Sequence, residues 1–123
     1  MKNIDHALYE EIVENSFGGE TLALWNGLCG CLPELPYEEC KNIFLQVALK
    51  LLNDKRVRFC VPNELWKDGD DIWGIDSNKI ISYIAANWPK DISNTEDLKL
   101  VDFFYDVAPA ILWVDDDGSI VGS

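Results

Sequence analysis

The stretch that decides the fold is residues 36–61, PYEECKNIFLQVALKLLNDKRVRFCV. It opens with a proline and two acids, which favour the first turn of a helix. Apolar residues then recur at helical spacing and predict the longest helix of the chain, near 37–54. After Arg56 the apolar period changes to two, which predicts a strand over 57–61. A long helix leading directly into a strand is therefore the centre of the predicted fold.

Further elements lie on both sides of this stretch. Beta-branched and aromatic residues after Pro109 predict a second strand over 110–114, and Asp117-Gly118 predicts a hairpin turn into a short return strand over 119–121. Helical spacing also follows three capping signals: Asn3 or Asp5, Asp76 or Ser77, and Thr95-Glu96-Asp97, the last leading into a short helix that ends near Tyr105. A short helical segment, 20–28, precedes a loop marked by Gly27, Gly30, Pro33 and Pro36.

This order of elements predicts an α+β fold with about four helices around a small antiparallel sheet. The length of 123 residues fits a single globular domain spanning 1–123. Trp25, Trp88 and Trp113 each fall on an apolar helical or strand stripe, so we expect them in the core.

The charge of the chain is strongly acidic. Ten Lys and Arg against 22 Asp and Glu give a net charge of −12. Nucleic acids and anionic membranes require a basic face, so this balance disfavours both as partners and favours a basic protein. Half of the bases lie in residues 40–58, an arrangement that is also typical of helix-end lysines and an ordinary solvated surface. The sequence shows neither a spanning apolar run nor a signal-peptide core, so we expect a cytoplasmic protein.

Carboxylates and indoles alternate in two segments, 66–73 (WKDGDDIW) and 113–118 (WVDDDG). Aromatic anchors beside steering carboxylates are the composition of a protein interface that binds a basic partner. The predicted partner-binding residues are Trp66, Asp68, Asp70, Asp71, Trp73, Asp115, Asp116 and Asp117.

Catalytic and metal-binding patterns are weak. The four cysteines, Cys29, Cys31, Cys40 and Cys60, lack the paired spacing of structural zinc sites and are expected to be free thiols. The only histidine, His6, lies near the N-terminus without a nucleophile spaced to use it. The aspartates of 68–76 do not meet the calcium-loop pattern. We therefore expect no catalytic residues, no metal site and no cofactor.

The second half of the chain carries a series of spaced aromatic and proline words: LW at 65–66, IW at 72–73, KIIxYI at 79–84, NWP at 87–89, FF at 103–104, PAILW at 109–113 and DG at 117–118. This series is similar to a family of small bacterial proteins that resemble immunity proteins of polymorphic-toxin and contact-dependent growth inhibition systems. The resemblance implies an antidote that binds the C-terminal domain of a cognate toxin, often a basic nuclease. Two alternatives stay open: an acidic cytosolic adaptor or regulator, and a hydrolytic enzyme that uses carboxylates.

Overall fold

The computed structural model describes residues 5–59, 77–108 and 111–122. Within this part, five helices and three strands follow one another along the chain. In order they are α1 (His6–Ser16), α2 (Thr21–Cys31), α3 (Tyr37–Asn53), β1 (Val57–Phe59), α4 (Ser77–Ala86), α5 (Leu98–Asp106), β2 (Ile111–Val114) and β3 (Ile120–Gly122). The α+β class is confirmed, and α3 is the longest helix. The expectation of about four helices was one too low, because the 20–28 segment forms a full helix.

The strands form one antiparallel sheet in the order β1-β2-β3. Val57 pairs with Trp113, which pairs in turn with Val121, so these three side chains share one face. This face is turned to the core, where Val57 and Trp113 are buried. Arg58, which pairs with Leu112, belongs to the opposite face, whose side chains are more exposed. The predicted strand residues 60, 61 and 110 lie outside the described residues.

A sharp turn joins α3 to β1. The N–H of Arg56 donates to the carbonyl of Leu51, and the N–H of Lys55 donates to that of Leu52. These two bonds make a Schellman motif, in which the residue after the C-cap takes a left-handed conformation. Lys55 does so, with φ of 61°. The change from helix to strand that the sequence predicts is therefore completed within three residues.

The helix predicted over 20–28 is longer than expected: α2 continues through Gly27 and Gly30 to Cys31, so the assignment of these two glycines to a loop was wrong. Gly27 faces Ser16 of α1, and a Cβ at Gly27 would collide with the Ser16 hydroxyl. The absence of a side chain thus permits the close packing of α1 on α2. This close approach explains why α2 contains a glycine there, although glycine in a helix costs about 0.5–1 kcal/mol relative to alanine.

We expect Gly27→Ala to lower the free energy of unfolding by about 1–3 kcal/mol, since the added methyl group overpacks the α1–α2 contact. Gly30→Ala is the matched control in the same helix, because no atom lies within 4 Å of the added Cβ. It should raise the free energy of unfolding by about 0.5–1 kcal/mol. Denaturant unfolding measures both changes.

The double variant Ser16→Ala/Gly27→Ala separates the collision from helix propensity. Without the hydroxyl, the nearest atom of residue 16 to the new methyl group is its Cβ, at 3.7 Å, an ordinary contact. The methyl group at position 27 should therefore cost much less in the Ser16→Ala background than in the wild type. Equal costs in the two backgrounds would contradict this account of the helix contact.

Candidate functional site

The second predicted acidic segment forms the tip of the β2–β3 hairpin. The N–H of Asp115 donates to the Ser119 carbonyl at 2.8 Å, and Gly118 closes the turn with a φ of 86°. The predicted Asp117-Gly118 turn is thus confirmed. Asp115, Asp116 and Asp117 are all exposed, so the turn presents three successive carboxylates to solvent.

The three carboxylates have different roles within the turn. Oδ1 of Asp115 accepts the Asp116 N–H at 2.8 Å, and Oδ1 of Asp117 accepts the Ser119 N–H at 2.9 Å. The latter bond holds the pKa of Asp117 below its usual value. Within the described residues, the Asp116 carboxylate forms no hydrogen bond or ion pair. Asp115 and Asp117 therefore stabilise the turn, whereas the exposed carboxylate of Asp116 does not contribute to it.

The first predicted acidic segment lies outside the described residues. It contains five of the predicted partner-binding residues: Trp66, Asp68, Asp70, Asp71 and Trp73. Their role in partner binding stays a prediction.

The three tryptophans expected in the core are buried there, with Trp25 at 1 % and Trp113 at 0 % exposure. Each indole N–H has an acceptor, as buried tryptophan requires. Trp25 donates to the Thr95 carbonyl and Trp113 to the Gly19 carbonyl, both at 3.0 Å, while Trp88 donates to the Tyr37 hydroxyl. These tryptophans therefore belong to the core.

The basic segment 40–58 is partly neutralised within the fold. Arg56 forms a two-pronged ion pair with Glu10, with N–O distances of 2.5 and 3.4 Å. Lys50 pairs with Asp54 at 3.3 Å, and both cations lie over the ring of Tyr9. These contacts fix α1 against the corner between α3 and β1. They also offset two positive charges of an already acidic protein.

Tyr9 lies at the centre of this cluster. Its hydroxyl donates to Oδ2 of Asp54 at 3.2 Å. Burial is the main reason that the pKa of Tyr9 is raised to about 12; the Asp54 charge acts in the same direction and the Arg56 charge opposes it. The ordinary pKa of a tyrosine is about 10. The folded state therefore favours the neutral phenol.

When the pKa of a phenol is higher in the folded state than in the unfolded state, the phenol stabilises the folded state. This contribution is complete at pH values below the unfolded pKa, and it is lost as the pH rises through the folded pKa. We therefore expect the free energy of unfolding of the wild type to fall as the pH rises from about 10 towards about 12. It should fall less in Tyr9→Phe, which has no proton to lose. Denaturant unfolding across this range measures the difference, and an equal fall in the two proteins would contradict the assignment.

Sequence reasoning missed an exposed surface on α5. Leu100, Phe103 and Phe104 of this helix are buried. Leu98 and Tyr105 are 76 % and 60 % exposed, the two highest values among the large apolar side chains of the described part. The available signal was the angular position of Leu98 and Tyr105, which at 100° per residue lie on one side of the helix, opposite the buried residues.

Two carboxylates share this surface. At 100° per residue, positions 98, 102, 105 and 106 fall within about 100° of arc, and Asp102 and Asp106 are exposed. We call Leu98, Asp102, Tyr105 and Asp106 the α5 outer face. Glu20, in the turn between α1 and α2, is the main cause of the raised pKa of Tyr105.

The carboxylates of the α5 outer face oppose the stability of their own helix. Asp106 is the last residue of α5, and no basic residue lies in its last turn. Negative charge near a helix C-terminus opposes the helix dipole by about 0.3–1 kcal/mol. Like charges four residues apart add about 0.2–0.5 kcal/mol of repulsion. A cation bound at this face would relieve both effects.

The thiols and the histidine show no assembled chemical site within the described part. Cys29, Cys31 and Cys40 are free thiols, and burial raises the pKa of Cys29 to about 12. A high pKa keeps the thiol protonated and unreactive at neutral pH. His6 is exposed. No group of three potential metal ligands occurs among the described residues, which do not include Cys60.

An open cleft of about 480 Å³ lies between the start of α3 and the segment after α4. Trp88 lines the cleft, and Lys41 lies over its ring, with Nζ 5.6 Å from the ring centroid. The lining combines Lys41 and Lys90 with Glu38 and Asp91, so its formal charges balance. The cleft therefore does not select a ligand by net charge.

Comparison with known proteins adds no identification: no family model, curated protein or solved structure matches this chain. Within the described residues, no helix is both long and apolar enough to traverse a lipid bilayer.

Proposed function

We propose that this protein is an immunity protein, or antitoxin, that binds and neutralises a cognate toxin domain. The observation that carries the proposal is the exposed acidic surface of the described part. It includes the tip of the hairpin, 115–117, and the α5 outer face, where carboxylates flank an exposed tyrosine. The sequence resemblance to immunity proteins points in the same direction. We place the protein in the cytoplasm, without a cofactor or a catalytic role.

The physical basis is charge complementarity with a basic toxin domain. A nuclease that binds phosphates presents a cationic groove. An acidic protein is attracted to that groove, and its carboxylates can pair with arginines and lysines at the rim.

The test begins with a tagged copy of the protein expressed in its native host. Purification at low salt, followed by mass spectrometry, should recover a basic protein with a toxin domain. Expression of that domain alone should arrest growth, and co-expression of the acidic protein should restore it. Recovery of a non-toxic partner, or growth arrest that persists on co-expression, would contradict the proposed function.

The sequence prediction for residues 68–71 gives a specific mutational test. We expect Asp70→Lys/Asp71→Lys to weaken binding of the recovered toxin domain by about 1–3 kcal/mol, since reversal replaces attraction with repulsion. The double reversal Glu11→Lys/Glu14→Lys, on the exposed side of α1, is the control for net charge. Calorimetry measures affinity and a melting curve measures folding. Equal effects of the two reversals would remove Asp70 and Asp71 from the interface.

A further inference from the structure

We infer that the α5 outer face is a docking surface for an arginine-bearing segment of a basic protein partner. This inference rests on the proposed function, and it specifies which surface of the molecule binds and which side chain that surface prefers. None of its four residues belongs to the segments that the sequence predicted for binding.

The first support is the exposure of the apolar residues. Leu98 and Tyr105 are 76 % and 60 % exposed, whereas the other side of the same helix is buried in the core. Tyrosine is enriched among the residues that contribute most to binding at protein interfaces. A helix held rigidly by its buried side therefore presents an aromatic anchor to solvent.

The second support is a further carboxylate near that anchor. Glu20, in the turn between α1 and α2, raises the pKa of Tyr105, so its negative charge acts on the phenol. This turn is held in place, because the Gly19 carbonyl accepts the indole N–H of Trp113. A cation that reaches the Tyr105 ring is therefore attracted by Glu20 as well.

The third support is the charge of the face. Asp102 and Asp106 lie four residues apart and repel each other, and Asp106 also lies in the last turn of α5, where the helix dipole favours a nearby cation. Arginine fits better than lysine, because its planar guanidinium can stack on the Tyr105 ring and donate two hydrogen bonds to one carboxylate. Arginine is therefore the preferred occupant.

The experiment uses two probes of equal charge, a nona-arginine and a nona-lysine peptide, with the full chain at low ionic strength. Wild type should bind nona-arginine more tightly than nona-lysine. Tyr105→Ala should weaken nona-arginine binding by about fivefold and should affect nona-lysine binding less. An arginine preference that survives Tyr105→Ala would overturn the inference.

The charge arm compares two double variants that remove the same net charge. Asp102→Asn/Asp106→Asn should weaken nona-arginine binding more than Glu11→Gln/Glu14→Gln, whose residues are exposed on α1. The α5 double variant should also melt at a higher temperature than the wild type, because it removes the Asp106 charge that opposes the helix dipole and the repulsion between the two carboxylates. Weaker binding together with higher stability is an outcome that damage to the fold does not produce. Equal weakening by the two double variants would overturn the inference.

A final arm separates this inference from the proposed function. The Tyr105→Ala and Asp102→Asn/Asp106→Asn variants are tested against the toxin domain recovered by the wild type. If that domain binds them as tightly as it binds the wild type, the α5 outer face is not its docking surface, although the antitoxin function stands. If the recovered partner is not a toxin but loses affinity for both variants, the docking surface stands and the antitoxin function fails.

Discussion

Trp25 of α2 makes the contacts on which the helical layer depends. Its ring packs against Tyr37 and Phe44 of α3, against Trp88 after α4, and against Phe104 of α5, with centroid separations of 5.5–6.2 Å. Aromatic pairs at such distances contribute beyond the area they bury. Because the indole N–H also reaches the Thr95 carbonyl, one side chain fixes the positions of α2, α3 and α5 relative to each other.

The position of α5 explains how the core creates the exposed surface. Phe103 and Phe104 pack into the cluster around Trp25 and Trp88, which fixes the rotation of the helix about its axis. Once that rotation is fixed, Leu98 and Tyr105 must point to solvent. The apolar core and the candidate binding surface are thus two sides of the same helix, and the stability of the first makes the second rigid.

The parts of the fold that depend on local pattern could be predicted from the sequence. The change of period after Arg56 predicted both α3 and β1, and Asp117-Gly118 predicted the hairpin turn. The Gly27 position could not be predicted, because its reason is contact with Ser16, which a local pattern does not reveal. A glycine in isolation indicates a loop, and only the approach of a second helix explains its place within α2.

The candidate site was predicted only in part for a related reason. Acidic runs such as 115–117 are visible in the sequence, and the structure places this one at an exposed turn. The α5 outer face consists of separated residues that meet only once the helix has formed. The effect of Glu20 on Tyr105 was harder still to predict, because 85 positions of sequence separate the two residues.

The central claim is that exposed carboxylates attract a basic protein partner. The most direct test is the association rate constant of the wild type with the recovered toxin domain, measured by stopped flow over a range of ionic strength. The account predicts an association rate that falls steeply as salt is added, with a smaller change in the dissociation rate, because steering between exposed charges is screened over about 10 Å at 0.1 M salt. An association rate that is independent of salt, or that rises with it, would contradict the claim.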